Sequence, residues 1–238
     1  DLAGMTSDIV PENRRRVLAE LLRSFAPDVV INANSRLLWD VCETYGLALT
    51  ASFRMVACLL CNEQTLYGHT RGYPLTRFYR NFDVLSAVAT DSHALAEELK
   101  SSYALPPEWQ SRIHVLSGPV DGTISSVAAP KAGRRRRPQV FWAGRLDPQK
   151  RIDLLYQIAQ ACPEADFRVW GEPVMGALAG LPPAPGNIKR GGTYASFRDL
   201  PLTEADAWLY TAAWDGVPQM LLEVAMTGVP IVGTDVGG

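Results

Sequence analysis

The chain has 238 residues, 47% of them hydrophobic and 20% charged, with a formal net charge of −2. That length fits one large domain or two small ones, either able to bury a substantial core. The near-balanced charge calls for neither nucleic acid nor an anionic membrane as partner. No apolar run reaches the ~18 residues of a membrane span; Leu47–Cys61 comes nearest, and Arg54 breaks it. The chain starts at Asp1 without a methionine, so a natural start upstream is expected and the missing signal peptide excludes little. Four cysteines, Cys42, Cys58, Cys61 and Cys162, are too scattered for a disulfide framework and suit a reducing compartment. Cys58 and Cys61 have C-x-x-C spacing, but no second pair or neighbouring histidine completes a zinc site, so they read as small buried residues.

In chain order, Leu18, Leu21, Leu22 and Phe25 recur at helical spacing, predicting an amphipathic helix over 12–25 that Pro27 closes. Asp28–Ala33 is a short buried-strand pattern. Asn34 or Ser35 can cap a helix over Arg36–Tyr45, with Gly46 as its terminator and Leu47–Ser52 as the next strand. This strand–helix alternation predicts a parallel sheet covered by helices. Residues 53–82 mix helix-like and loop-like signals around Gly68, Gly72 and Pro74. Regular structure returns with a strand at Phe82–Thr90, a cap at Asp91 or Ser92, a helix over His93–Tyr103 and a strand at Arg112–Leu116. Thr123–Pro138, rich in small residues and ending in Arg134–Arg137, marks a boundary. The predicted organisation is a first domain over 1–126, a linker over 127–138 and a second domain over 139–238. The four arginines are read as a solvated linker, since no flanking aromatics or second basic patch support nucleic-acid or lipid binding.

The second domain opens with a strand at Gln139–Trp142. The loop Ala143-Gly144-Arg145-Leu146-Asp147-Pro148-Gln149-Lys150 follows, then a helix over Arg151–Ala161. Glycine lets the backbone approach a ligand, two cations flank the loop, and such loops lie at the carboxyl ends of strands, where open α/β sheets bind ligands. Strands are predicted at Ala165–Trp170, Asn187–Arg190 and Ala207–Thr211, with loop over 174–186 and mixed signals over Asp199–Asp206. Pro218 suits the first helical position. Gln219–Met226 then reads as helix, Gly228 as its terminator and Pro230–Thr234 as a strand. That helix is apolar almost all round, as for one pinned on a sheet, except for Glu223. A carboxylate there is costly unless it finds donors, which a pair of sugar hydroxyls would supply. The N–H groups of the helix start, near Val217, Gln219 and Met220, are expected to offer a site for an anion such as phosphate.

Asp215-x7-Glu223 contains Gly216, Pro218 and Leu221-Leu222-Glu223, and Gly228-Val229-Pro230 follows it. This string resembles the E-x7-E signature of the group-1 (family 4) retaining glycosyltransferases. Trp214-Asp215-Gly216-Val217-Pro218 resembles a W-D-G-x-P variant of it, with Asp replacing the first Glu. Gly144-Arg145-Leu146 with Lys150 resembles the family's G-R-L-x-x-x-K loop, and Gly171-Glu172-Pro173 is similar to its glycine-rich turn. Two departures stand out. Ser117-Gly118-Pro119-Val120-Asp121 keeps only the Val-Asp of the family's P-N-G-V-D loop, and Ala212 occupies a position where the family often has serine.

The resemblance implies an α/β chain of GT-B fold: two Rossmann-like parallel-sheet domains facing a cleft, the first partial and the second lacking its C-terminal end. It implies transfer of a sugar from a nucleoside-diphosphate sugar, with retention, to a saccharide or lipid-linked acceptor in surface polysaccharide or glycolipid synthesis. Arg145, Lys150 and Asp215 would be catalytic: the two cations stabilise the departing diphosphate, and Asp215 holds sugar hydroxyls. Gly144, Gly216, Val217, Gln219, Met220 and Glu223 would bind the donor, with Glu223 on the ribose. His69, Arg71 and Arg80 lie in the part that faces acceptors in the family; the plainer reading is a solvated loop with ordinary charges. No cofactor and no metal are expected, nor nucleic acid. A cytoplasmic location is implied, including the inner face of a membrane with peripheral contact. The family's first-domain glycine-rich loop over the phosphates has no counterpart, so weak or no activity is expected of this chain by itself. Two other readings stay open: a GT-B remnant that binds nucleotide or acts as a scaffold, and a GT-B sugar-nucleotide epimerase. Two carboxylates at this spacing do not by sequence make a glycosidase pair.

Overall fold

A computed structural model describes residues 10–65, 68–124, 137–174 and 181–237. The chain divides into two compact units, one up to Ser117 and one over Gly118–Gly237. Apart from Arg137 and Pro138, the linker predicted over 127–138 lies outside the described residues.

The first unit opens with α1 (Pro11–Phe25), closed by Ala26 in the left-handed conformation, and β1 (Val29–Ala33) follows. Helix α2 (Arg36–Leu49) starts at Ser35, whose hydroxyl accepts the Leu38 N–H at 3.3 Å. Next come β2 (Arg54–Leu59), the antiparallel pair β3 (Glu63–Gln64) and β4 (Thr70–Arg71), and the short α3 (Tyr73–Thr76). A 3-10 turn at Tyr79–Val84 leads to β5 (Ala87–Thr90). The unit ends with α4 (His93–Ser102), α5 (Pro107–Gln110) and β6 (Ile113–Val115). Strands β1-β2-β5-β6 form a parallel sheet in that order. Trp39, Met55, Phe78 and Phe82 sit at the centre of its core, with Trp109 stacked on Phe82 at 4.3 Å. Arg77 braces α2 through Asp40 at 3.0 Å and Glu43 at 2.6 Å.

Gly46 does not end α2, and Leu47–Ser52 is not a strand. The helix runs through Gly46 to Leu49, whose side chain is core, and the strand begins only at Arg54. Gly46 serves packing instead: a Cβ built there would meet Val84 Cγ2 at 2.6 Å. The burial of Leu38, Cys42, Gly46 and Leu49 continues one helical stripe across the glycine. Val84 also belongs to the 3-10 turn that takes up the first residues of the strand predicted over Phe82–Thr90. Of the cysteines, only Cys42 is buried, and burial pushes its thiol up to about 11; Cys58, Cys61 and Cys162 are half-buried.

In the second unit, β7 (Gln139–Ala143) is followed by a 3-10 turn at Pro148–Lys150, α6 (Ile152–Ala161), β8 (Asp166–Trp170) and β9 (Ile188–Gly192). Two 3-10 turns, Phe197–Asp199 and Leu202–Glu204, fill the region of mixed signals before β10 (Ala207–Tyr210). Helix α7 (Gln219–Thr227) and β11 (Ile231–Gly233) close the unit. The sheet is parallel in the order β11-β10-β7-β8-β9. Alternate residues feed two cores, so the sheet is buried on both faces. Trp142 and Leu209 pack with α6 residues Leu155 and Tyr156, whereas Phe141 and Trp208 pack with Phe197, Leu202 and Val224. Helix α7 is one-sided despite its composition: Val224 and Thr227 are buried, while Met226 is exposed. Pro218 is its N-cap rather than its first helical residue, and Gly228 terminates it in the left-handed region at φ 77°.

Alanine in mid-helix is ordinarily favoured over glycine by about 1 kcal/mol. Overpacking a core costs typically ~1–3 kcal/mol, and a valine side chain is stiff at χ1. Gly46→Ala is therefore expected to destabilise the chain by about 1 kcal/mol, measured by urea denaturation. In a Val84→Ala background the same change should be neutral or stabilising.

Candidate functional site

In the second sheet the chain runs from β7 outward through β8 to β9, then returns to place β10 on the other side of β7. The point where strand order reverses is where open α/β sheets bind ligands, beyond the carboxyl ends of the strands. The two loops singled out in the sequence leave β7 and β10, the strands that flank this point.

Asp147 shapes the first loop by capping the 3-10 turn, its carboxylate accepting the Lys150 N–H at 3.1 Å. The second loop is bonded to the first at three points. The Thr211 hydroxyl donates to the Lys150 carbonyl at 2.6 Å and accepts the Trp142 indole N–H at 3.0 Å. The Ala213 N–H donates to the Gln149 carbonyl at 2.8 Å. The Gln149 amide nitrogen reaches the Trp214 carbonyl at 2.9 Å. The first loop is also held from the β8 side, where Leu146 N–H donates to the Glu172 carbonyl at 3.0 Å. Gly171 permits this approach: it has φ 128°, and a Cβ there would lie 1.8 Å from the Gly144 carbonyl oxygen.

This framework brings Lys150 and Asp215, 65 residues apart, into an ion pair whose side chains are each 18% exposed. The Tyr210 hydroxyl donates to the same Asp215 oxygen at 2.5 Å, and the Lys150 ammonium stands 5.4 Å over the Tyr210 ring. The other carboxylate oxygen accepts the Gly216 N–H at 3.2 Å and the Gln149 amide at 3.4 Å. Arg145, 62% exposed, donates to the Gln149 side-chain oxygen at 2.9 Å and stands 3.3 Å from Asp147.

Gly144, Arg145, Lys150, Asp215 and Gly216 thus gather at the β7/β10 edge. Val217, Gln219 and Met220 lie at the start of α7, and Glu223 lies about one turn along it. An α-helix leaves its first N–H groups without partners inside the helix, which makes this end attractive to an anion. The Gln219 side chain donates to the Pro119 carbonyl at 2.7 Å and hydrogen-bonds Glu223. The Glu223 carboxyl is raised above its usual value by burial first and by the Asp121 charge second, against the Gln219 hydrogen bond. Burial and the Glu223 charge likewise raise Tyr194. Asp121 is pulled down to about 2 by the Thr123 hydroxyl, the Thr123 N–H and Arg198. Its carboxylate therefore holds its own loop to the Phe197–Asp199 turn.

His69 and Arg71 belong to the first unit, Arg71 on β4 and His69 just before it. Arg71 is bonded to Glu63 at 3.1 Å, with both side chains exposed, and the His69 N–H donates to the Thr65 hydroxyl at 3.1 Å. Arg80 is exposed in the 3-10 turn. Among the described residues, no group of three His, Cys, Asp or Glu gathers that could hold a metal ion, and no helix is long and apolar enough to cross a membrane. Sequence reading missed Tyr210, Gln149 and Thr211. Tyr210 and Thr211 are hidden in the sequence as ordinary strand-end residues, and only the loop position of Gln149, one before Lys150, points to it.

Several solved structures share this architecture. Anabaena Alr3699/HepE, in complex with UDP-glucose, superposes with a TM-score of 0.68 at 16% identity, over 96% of this chain and 66% of that one. The pneumococcal O-GlcNAc transferase GtfA, in complex with UDP and GlcNAc, gives 0.63 at 16% identity, over 94% and 46%. The lipopolysaccharide outer core galactosyltransferase WaaB gives 0.63 at 18% identity, over 95% and 62%. The chain thus spans about half to two thirds of the length of these structures. No protein-family model matches the sequence, and no curated protein does. At these identities the likeness establishes fold: the chain is a mixed α/β protein whose parallel sheets are those of part of a GT-B structure.

Proposed function

We propose that the chain carries the donor site of a glycosyltransferase of the group-1 (family 4) type, moving sugar from a nucleoside-diphosphate sugar to a saccharide or lipid-linked acceptor with retention. The observation that carries this reading is the Lys150–Asp215 pair at the reversal of strand order, beside the open start of α7. In this reading the diphosphate lies between Arg145, Lys150 and the N–H groups of Gln219 and Met220. Gly144 and Gly216 keep the backbone free of side chains beneath it. Charge accumulates on the departing phosphate as the bond from the anomeric carbon lengthens, and the two cations with the helix dipole stabilise it. The anomeric carbon–phosphate oxygen bond breaks, the bond to the acceptor oxygen forms on the same face, and the acceptor's proton passes to the departing diphosphate. The reading calls on no protein nucleophile and no metal, because Arg145 and Lys150 supply the positive charge. Glu223 accepts the ribose hydroxyls, and Val217 lines the turn before them. His69 and Arg71 are the proposed acceptor contacts. Cytoplasmic synthesis of surface polysaccharide or glycolipid, with peripheral membrane contact, belongs to the same proposal. UDP in solved structures of this fold makes uridine the first base to try.

The test is calorimetric titration with UDP, GDP, ADP and their common sugar conjugates. One nucleotide is expected to bind, and Lys150→Ala should weaken it roughly 10- to 100-fold, the worth of a hydrogen bond to a charged group, while nucleoside affinity stays unchanged. Binding of no nucleotide by the folded chain would sink the proposal.

Glu223 supplies a second test. A carboxyl raised on folding adds stability below its unfolded pKa, and that stability is lost as pH rises through the folded value. Between pH ~4 and 7 the wild type should therefore lose stability relative to Glu223→Gln in thermal denaturation. Added nucleotide, which donates ribose hydroxyls to the carboxylate, should offset the loss in the wild type only.

A further inference from the structure

An ionised carboxylate offers about four lone-pair sites. Asp215 fills all four from within the protein: Lys150 and Tyr210 on one oxygen, Gly216 and Gln149 on the other. A sugar hydroxyl could be accepted there only by displacing one of these donors. The Lys150 ammonium, in contrast, carries three N–H donors, of which the pair with Asp215 uses one. Tyr210 is placed to serve both partners at once, with its hydroxyl on the carboxylate and its ring face under the ammonium. It can do so because it ends β10, where its carbonyl accepts the Thr234 N–H and its hydroxyl reaches Asp215 in the loop that follows.

We infer that Asp215 is a positioning residue and that Tyr210 acts with it. Together they hold Lys150 toward the diphosphate, and the transferred sugar is bound elsewhere. This rests on the donor-site reading above. Aspartate in place of the longer glutamate fits the arrangement, because the shorter side chain draws the carboxylate back to Tyr210 and Gly216. The tyrosine hydroxyl shares its carboxylate oxygen with Lys150, so that oxygen keeps a donor if the ammonium shifts toward the phosphate.

Titrations of the wild type, Tyr210→Phe and Asp215→Asn with uridine, UDP and UDP-glucose test the inference. Tyr210→Phe keeps the ring and removes only the hydroxyl. It should weaken UDP and UDP-glucose alike, by about tenfold, and leave uridine unchanged. Asp215→Asn should change both diphosphates by one common factor. If Asp215 instead held the sugar, its variant would lose affinity for UDP-glucose and keep that for UDP, and the inference would be overturned. Wild-type affinity in Tyr210→Phe for both diphosphates would overturn it equally. If the wild type binds another nucleoside diphosphate instead of UDP, the same comparison is made with that nucleotide and its sugar conjugate; if it binds none, the donor-site reading fails before any variant is made, and the inference falls with it.

Discussion

The ion pair between Lys150 and Asp215 is the interaction to which the second unit is built. Two opposite charges, each mostly withdrawn from water, stabilise only if geometry is good and the remaining donors and acceptors are satisfied. The fold meets that condition by topology before chemistry. Reversing strand order beside β7 puts the ends of β7 and β10 next to one another, so loops distant in sequence start side by side. Thr211 then fixes their spacing by bonding the Lys150 backbone, and Trp142 fixes Thr211 from the core. Loosening of the second sheet would move the pair, and the pair adds to the hydrogen bonds that already tie the two loops together.

The same edge separates two electrostatic roles. At the β7/β10 reversal each cation stands beside a carboxylate: the exposed Arg145 near Asp147, and the partly covered Lys150 on Asp215. At the start of α7, the carboxylate of Glu223 sits among Gln219, Tyr194 and Asp121, where burial and a like charge disfavour its ionised form. A ligand with an anionic segment and a vicinal pair of hydroxyl donors would complement both ends at once. A plain phosphate would satisfy only the first, and the two carboxylates of the Asp215–Glu223 string have correspondingly different surroundings.

Much of this is legible in the sequence, and the failures have physical causes. Parallel strands buried on both faces read as short apolar runs, so β7, β8 and β10 lie within a residue of their predicted ends. The motif loops stand out because glycine, proline and charge cluster there against an apolar background. Gly46 misleads because a glycine needed for close packing looks, in one dimension, like one needed for a turn; only Val84, far along the chain, tells them apart. Tyr210 and Thr211 are invisible for a similar reason. A tyrosine and a threonine at the end of a buried strand satisfy strand propensity, and their hydroxyl partners belong to loops whose register no local pattern specifies. The full apolar surround of α7 suggests deeper burial than exists, since composition cannot show which side of a helix meets the sheet.

Gly171 carries a consequence for how this protein can change over generations. Its backbone conformation and the nearness of the Gly144 carbonyl leave no room for any side chain. The place where the two strands of chain touch is closed to every residue but one. Divergence in this sheet is thus frozen where the backbone of one loop lies against that of the other.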